Sequence, residues 1–181
     1  MTPRRRPSPL TLLLAGLACA LLLFLALRTF MGREAEDRLD AGETIDFHAL
    51  TPAPSRFLMC PADFCNLRPN AESPVFEMGW QRLRDYWSET VAHQPRLKLV
   101  AGDGEMDKIT YIQRGPLLLL PDLVTIEFVP LGPDRSTFAI ASRSRYGHRD
   151  LRENRQRVEA WVGTLMAMVA GQQQPAGTAK P

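Results

Sequence analysis

No charged residue interrupts the chain from Pro7 to Leu27, and Leu10–Leu27 is almost unbroken Leu, Ala and Phe. Such a stretch cannot be an ordinary amphipathic helix, because it has no polar face to turn to water. Extended to Phe30, past Arg28, it runs 21 residues, about 31 Å of helix and close to the thickness of a bilayer core. The spacing predicts a transmembrane anchor over residues 1–30. A cleaved signal peptide and a lipoprotein signal are the alternatives. Ala18-Cys19-Ala20 imitates a small-x-small cleavage site, but a cut there leaves Leu21–Leu25 at the new N-terminus. The run is also longer than the roughly 7–15 apolar residues of a signal-peptide core. A lipidated Cys19 calls for a Leu-small-small approach, where this chain has Gly16-Leu17-Ala18. The triplet Arg4-Arg5-Arg6 with the α-amino group favours a cytoplasmic N-terminus, which sets the soluble part outside the cytoplasm.

Beyond the anchor, the chain is long enough for one domain and its appendages. Residues 31–55 read as a stalk or linker, because Pro52 and Pro54 force an extended path. Residues 56–170 read as a globular domain and 171–181 as a disordered tail of Gln, Pro and small residues. Pro61, Pro69 and Pro74 keep the start of the domain irregular. A helix is predicted from about Glu77 to His93, with Trp80, Leu83, Trp87 and Val91 on one face. Strands are predicted at Arg96–Val100, Lys108–Arg114, Leu123–Leu131 and Ser136–Ser144, with Pro130 marking an edge or an ending. A last helix is expected over Asp150–Ala170, its buried stripe formed by Leu151, Val158, Val162, Leu165 and Val169, with Gly171 as its stop. The expected fold class is α+β, two-layer: an antiparallel sheet of about four strands covered by two helices.

Two cysteines lie in this domain, in Cys60-Pro61-Ala62-Asp63-Phe64-Cys65. In an oxidising compartment they would close a small disulfide loop worth roughly 2 kcal/mol. Free thiols, or metal or redox chemistry, are the other readings. His48, His93 and His148 are too scattered to complete a zinc site, so no metal or other cofactor is expected.

The formal charge of +2 hides a segregated pattern. Residues 31–134 carry 10 basic and 17 acidic side chains, whereas residues 135–157 carry seven arginines against Asp150 and Glu153. The near-balance excludes a dedicated nucleic-acid binder and leaves one basic cluster on an acidic body.

That cluster is Ser142-Arg143-Ser144-Arg145-Tyr146-Gly147-His148-Arg149-Asp150, continuing through Asn154 and Arg155. The run from Ser142 to Gly147, with Asp150-Leu151, Asn154-Arg155 and Arg157-Val158-Glu159, resembles the C-terminal signature of the domain of unknown function 1499 family. Cys60-Pro61…Cys65, Ser73-Pro74-Val75-Phe76, Gln113-Arg114 and Pro121-Asp122 resemble its proteobacterial, membrane-anchored version. The likeness covers roughly Phe57 to Met168, and it departs where Arg152-Glu153 replace the Gly that usually comes after the Asp-Leu pair. It implies a small membrane-associated bacterial protein and names no activity.

Residue chemistry adds three readings of the cluster. In a strand, Ser142 and Ser144 share a face with Phe138 and Ile140, while Arg143 and Arg145 share the other. Gly147 suits a turn, and Asp150 is placed to cap the last helix. Arg155 falls on the sheet-facing stripe beside Asn154, where a guanidinium needs a carboxylate; Asp122, Glu127 and Asp150 are the candidates. Arg157 is expected to point outward and pair with Glu153. One reading is therefore a structural clasp of Ser142, Ser144, Gly147, Asp150, Asn154 and Arg155. A second is an anion site of Arg143, Arg145 and Arg149 at the helix N-terminus. A hydrolase using Ser142 or Ser144 with His148 and Asp150 lacks a nucleophile-elbow sequence. The expected protein is a single-pass component of the bacterial inner membrane with a periplasmic domain. It would act as a non-catalytic binding or accessory module, with an envelope protein or phospholipid as partner.

Overall fold

The structure is a computed structural model that describes residues 8–37, 43–102, 107–116, 119–145 and 151–173. Helix α1 (Pro9–Asp37) contains one stretch, Pro9–Phe30, that is long and apolar enough to cross a membrane, with a mean hydropathy of 2.7 and no burial against the rest of the protein.

Behind it, the order is β1 (Phe57–Cys60), β2 (Ala71–Glu72), α2 (Trp80–Ala92), β3 (Leu97–Ala101), β4 (Lys108–Arg114), β5 (Pro121–Gly132), β6 (Arg135–Ser144) and α3 (Leu151–Gln173). The strands form one sheet in the order β2-β1-β6-β5-β4-β3. All neighbours are antiparallel except β1 and β2, so the sheet is six-stranded and mixed. The expected four antiparallel strands are the β3–β6 meander, and two strands were missed. Phe57, Leu58, Met59 and Cys60 are buried on both faces, which erases the alternation that marks a strand in sequence. β2 is only two residues long, too short for any pattern.

Both faces of the sheet are covered. On one, α2 and α3 bury Leu83, Trp87, Val91, Val158, Trp161, Leu165 and Val169 against Val124, Ile126, Phe128, Phe138 and Ile140. Each such fully buried side chain is worth roughly 1.5–3 kcal/mol. Trp87 and Trp161 meet edge to face, with ring centroids 5.9 Å apart, and fill the space between the layers. On the other face, Ile45, Phe47 and Leu50 pack on Leu58, Ile112, Leu123, Ala139 and Ala141. The end of the stretch read as a stalk thus lies against the sheet, where the small Ala139 and Ala141 leave it room. Cys60 and Cys65 form a disulfide in the connection between β1 and β2. Asn70 clips that connection down, its N–H donating to Leu58 O and its Oδ1 accepting from Leu58 N–H, each at 2.8 Å.

Three smaller expectations are corrected. Leu151 is exposed rather than on the buried stripe of α3. Gly171 does not stop that helix, which continues to Gln173. Pro130 neither makes β5 an edge strand nor ends it, since β5 lies between β6 and β4 and runs on to Gly132. Pro130 lies beyond the last β4 pairing, Lys108 with Glu127, and faces only Ser136 of β6.

Candidate functional site

The alternation of β6 sorts the Ser-Arg-Ser-Arg run onto two faces. Along the helix-covered face, the rows of paired residues change from apolar to polar toward one end. Tyr111, Val124 and Ser142 stand side by side across β4, β5 and β6, and the next row is Gln113, Asp122 and Ser144. The first turns of α3 lie over this polar end and answer it with Asn154 and Arg157.

The resulting network is closed. Ser142 Oγ donates to Asn154 Oδ1 at 2.7 Å and accepts from Arg157 Nη1 at 2.8 Å. Asn154 is fully buried; its Nδ2 donates to Ser55 O at 2.8 Å and to Ser144 Oγ at 3.3 Å. Arg157 Nη1 also reaches Asn154 Oδ1 at 2.6 Å, and Nη2 meets Asp122 Oδ2 at 2.5 Å. Both partners of that ion pair are close to nine-tenths buried. The clasp joins the segment before β1, β5, β6 and the start of α3.

Arg155 is not its guanidinium. It is exposed, pairs with Glu159 at 2.8 Å, and rests 6.0 Å from the Phe57 ring. The reason is symmetry: Arg155 and Arg157 flank the buried stripe of α3 on opposite edges, so helical phase cannot choose between them. α3 runs above β6, between β1 and β5. The β1 flank offers Phe57 and the β5 flank offers the Asp122 carboxylate, so the buried charge goes to the carboxylate side. Arg157 therefore pairs with Asp122, not with Glu153 on the surface.

The family model for proteins of unknown function DUF1499 matches residues 66–165. The chain belongs to the DUF1499 family. No curated protein matches the sequence. Among solved structures, a crystal structure of Ara h 8.0201 is similar with a TM-score of 0.28 and 10% identity, over 55% of this chain and 95% of that one. A likeness that weak carries no argument.

The DUF1499 match includes every clasp residue except Ser55, and it starts after the segment that builds the opposite face. There Arg143 Nη2 donates to Glu43 Oε1 at 2.7 Å, and Arg145 Nη1 pairs with Glu43 Oε2. One carboxylate thus holds two guanidiniums. A third, Arg56, stands near Arg143 with no ion pair among the described residues. Its Nη2 donates to Thr51 O at 2.5 Å, while its Nε–H is buried and has no acceptor among them. Burial, and then the charge on Arg143, lower the Arg56 pKa from the ordinary arginine value. Arg56 and Arg143 line an open cavity of about 230 Å³ with Thr44, Asp46 and Thr51.

A second cavity, about 220 Å³, opens at the polar end of the helix-covered face beside Arg157, Gln113, Arg96 and Trp161. Arg96 is held there at a φ of 59°, a left-handed conformation uncommon for a side chain of this kind. It is exposed, and its Nε donates to Arg114 O at 3.2 Å.

Of the expected site residues, Ser142, Ser144 and Asn154 are brought together, Arg143 and Arg145 are brought together elsewhere, and Arg155 joins neither group. Gly147, His148, Arg149 and Asp150 lie outside the described residues. Sequence reading missed Arg157, Ser55, Glu43 and Arg56. Only the first carried a signal, its place on the flank of the helix stripe. Among the described residues, no three His, Cys, Asp or Glu side chains are placed to hold a metal ion.

Proposed function

We propose that this DUF1499 protein is a membrane-anchored, non-catalytic binding module of the bacterial cell envelope, and that it binds an anion at the outer arginine face. The observation that carries the reading is the cavity bordered by Arg56 and Arg143, where one carboxylate bridges two of three neighbouring guanidiniums. Ser142, one of the two serines that could suggest hydrolysis, supports it from the other side. Ser142 is fully buried and its hydroxyl is spent within the clasp, so it has no path to a substrate. The apolar Pro9–Phe30 helix behind Arg4–Arg6 supports a single span with a cytoplasmic N-terminus, and the Cys60–Cys65 disulfide suits an oxidising periplasm.

The test is calorimetric titration of the full chain in phosphatidylcholine nanodiscs with inorganic phosphate, sulfate and acetate. At least one anion should bind saturably, and Arg143→Gln with Arg145→Gln should weaken it tenfold or more. Absence of saturable binding by any of the three, or equal binding by the double variant, refutes anion binding. Protease added to spheroplasts should digest the domain; protection of the domain would overturn the periplasmic placement.

A further inference from the structure

Three features of the outer cavity define its ligand more narrowly. The first is a chain of hydroxyls with a fixed direction. Ile45 N–H donates to Thr125 Oγ1 at 3.2 Å, and Thr125 and Thr110 share a 2.9 Å hydrogen bond. Thr110 donates onward to Thr44 Oγ1 at 2.9 Å. A hydroxyl has one hydrogen to give, so Thr110 must receive from Thr125, and Thr44 ends the chain with its hydrogen unspent. Thr44 is exposed and lines the cavity, so the relay delivers a donor to it.

The second feature is charge. The charged side chains lining the cavity are Arg56, Arg143 and Asp46, an excess of one positive unit among the described lining residues, and the Glu43 carboxylate beside it is shared between Arg143 and Arg145. A monoanion cancels that excess, whereas a dianion overshoots it. Asp46 adds chemistry as well: on the cavity wall its carboxylate accepts the His48 N–H with Oδ1 at 2.9 Å, which leaves acceptor capacity for a ligand hydroxyl. Donors from two elements and a hydroxyl suit an oxyanion with several oxygens.

The third feature is size and place. At about 230 Å³ the cavity is smaller than sites for drug-sized ligands, so it admits a headgroup-sized fragment. Its wall begins at Thr44, one residue after Glu43. Helix α1 extends from Phe30 to Asp37, about 10 Å, and the six steps from Asp37 to Glu43 can add at most about 20 Å. The chain therefore holds the cavity within about 30 Å of the end of the apolar span.

We infer that this cavity is a site for a phosphodiester monoanion bearing a hydroxyl group, with Arg56, Arg143 and Thr44 donating to the phosphate and Asp46 accepting from the hydroxyl. The inference rests on the anion-binding reading above and specifies its ligand. Two sources offer this chemistry, a glycerol-headed phospholipid and a soluble glycerophosphodiester.

The experiment uses the full chain in nanodiscs, with three arms. Phosphatidylcholine discs are titrated with glycerophosphoglycerol. Discs containing phosphatidylglycerol are read by native mass spectrometry for retained lipid. Acetate and sulfate are titrated as comparison anions. The diester, from one source or both, should bind at least tenfold more tightly than acetate or sulfate, and the arm that binds identifies the source. Arg56→Gln should lose tenfold or more of that affinity, and Arg56→Lys should lose less because the charge remains. Arg155→Gln, on the far face, should change nothing. Diester binding no tighter than acetate or sulfate, or an Arg56→Gln protein that binds like the parent, overturns the inference while the anion reading stands. Failure of every anion removes both. Melting temperatures of each variant, expected within a few degrees of the parent, separate lost binding from lost folding.

Discussion

Replacing Arg157 by Ala tests the clasp more sharply than any other single change. Arg157 makes three bonds, to Ser142, Asn154 and Asp122, and its removal strands the Asp122 carboxylate in a site where only about a tenth of that side chain meets solvent. Breaking a buried pair from one side costs about 3–5 kcal/mol, because the remaining charge has lost its compensation. Arg155→Ala removes only an exposed pair with Glu159, worth about 0.3–0.5 kcal/mol. For a folded unit of this size each kcal/mol shifts the melting temperature by roughly 3–5 °C. Differential scanning calorimetry of the full chain in detergent should therefore show a loss of about 10–20 °C for Arg157→Ala and about 1–2 °C for Arg155→Ala. A second arm separates charge from packing: Arg157→Met with Asp122→Leu removes both charges and should recover most of the loss. Equal costs for Arg157→Ala and Arg155→Ala would refute the assignment of the buried guanidinium.

Burial raises the Tyr111 pKa above its ordinary value of 10.0, against a smaller opposing contribution from the Trp87 side chain. The unfolded chain then loses its phenolic proton first, so this contribution to stability is intact below about pH 10 and falls as pH climbs toward the folded-state value. Absorbance titration at 295 nm should show one of the three tyrosines ionising late; simultaneous ionisation of all three would contradict it. Cys60→Ala with Cys65→Ala opens a short loop and should cost about 2 kcal/mol in urea unfolding. At Gly102, φ is +83° and an added Cβ would sit 2.2 Å from Lys108 O. Gly102→Ala should thus lose about 1–3 kcal/mol instead of gaining the few tenths expected at a relaxed site. On β6 the two faces should separate by residue parity. Ser142→Ala should cost about 1–3 kcal/mol and leave anion affinity unchanged, whereas Arg143→Gln should reduce affinity at a stability cost under about 1 kcal/mol.

The meander was legible because its strands keep strong local signals. Lys108–Arg114 matches the expected strand from end to end, and β5 and β6 extend theirs by a few residues. The Trp80, Leu83, Trp87, Val91 stripe marked α2 for the same reason, a 3.6-residue period set against solvent. Residues that face two ways carry no such mark. Phe57–Cys60 is buried on both sides, and Ile45, Phe47 and Leu50 sit in a segment whose prolines read as linker. Contacts across long sequence separations were illegible altogether. Glu43 meets Arg143 a hundred residues away, and Asn154 meets the Ser55 carbonyl at nearly the same distance in sequence. Parity along β6 was legible and correct; the choice between Arg155 and Arg157 was not, because it depends on which strand lies under each flank of α3.

The segment before β1 decides where the folding unit begins. Residues 66–165 carry the family match, yet a chain cut to that span would lose β1 from the middle of the sheet, between β2 and β6. It would also lose Ile45, Phe47 and Leu50, uncovering Ile112, Leu123, Ala139 and Ala141. The Ser55 carbonyl, which accepts from the fully buried Asn154, would go with them and leave an amide donor without its strongest partner. The same cut removes Glu43, Thr44 and Arg56 from the outer cavity. Clasp and cavity therefore share one dependence: each takes some of its groups from the segment between α1 and β1. That stretch is part of the domain wall: Ile45, Phe47 and Leu50 cover one face of the sheet, while Ser55 and Arg56 reach the clasp and the cavity.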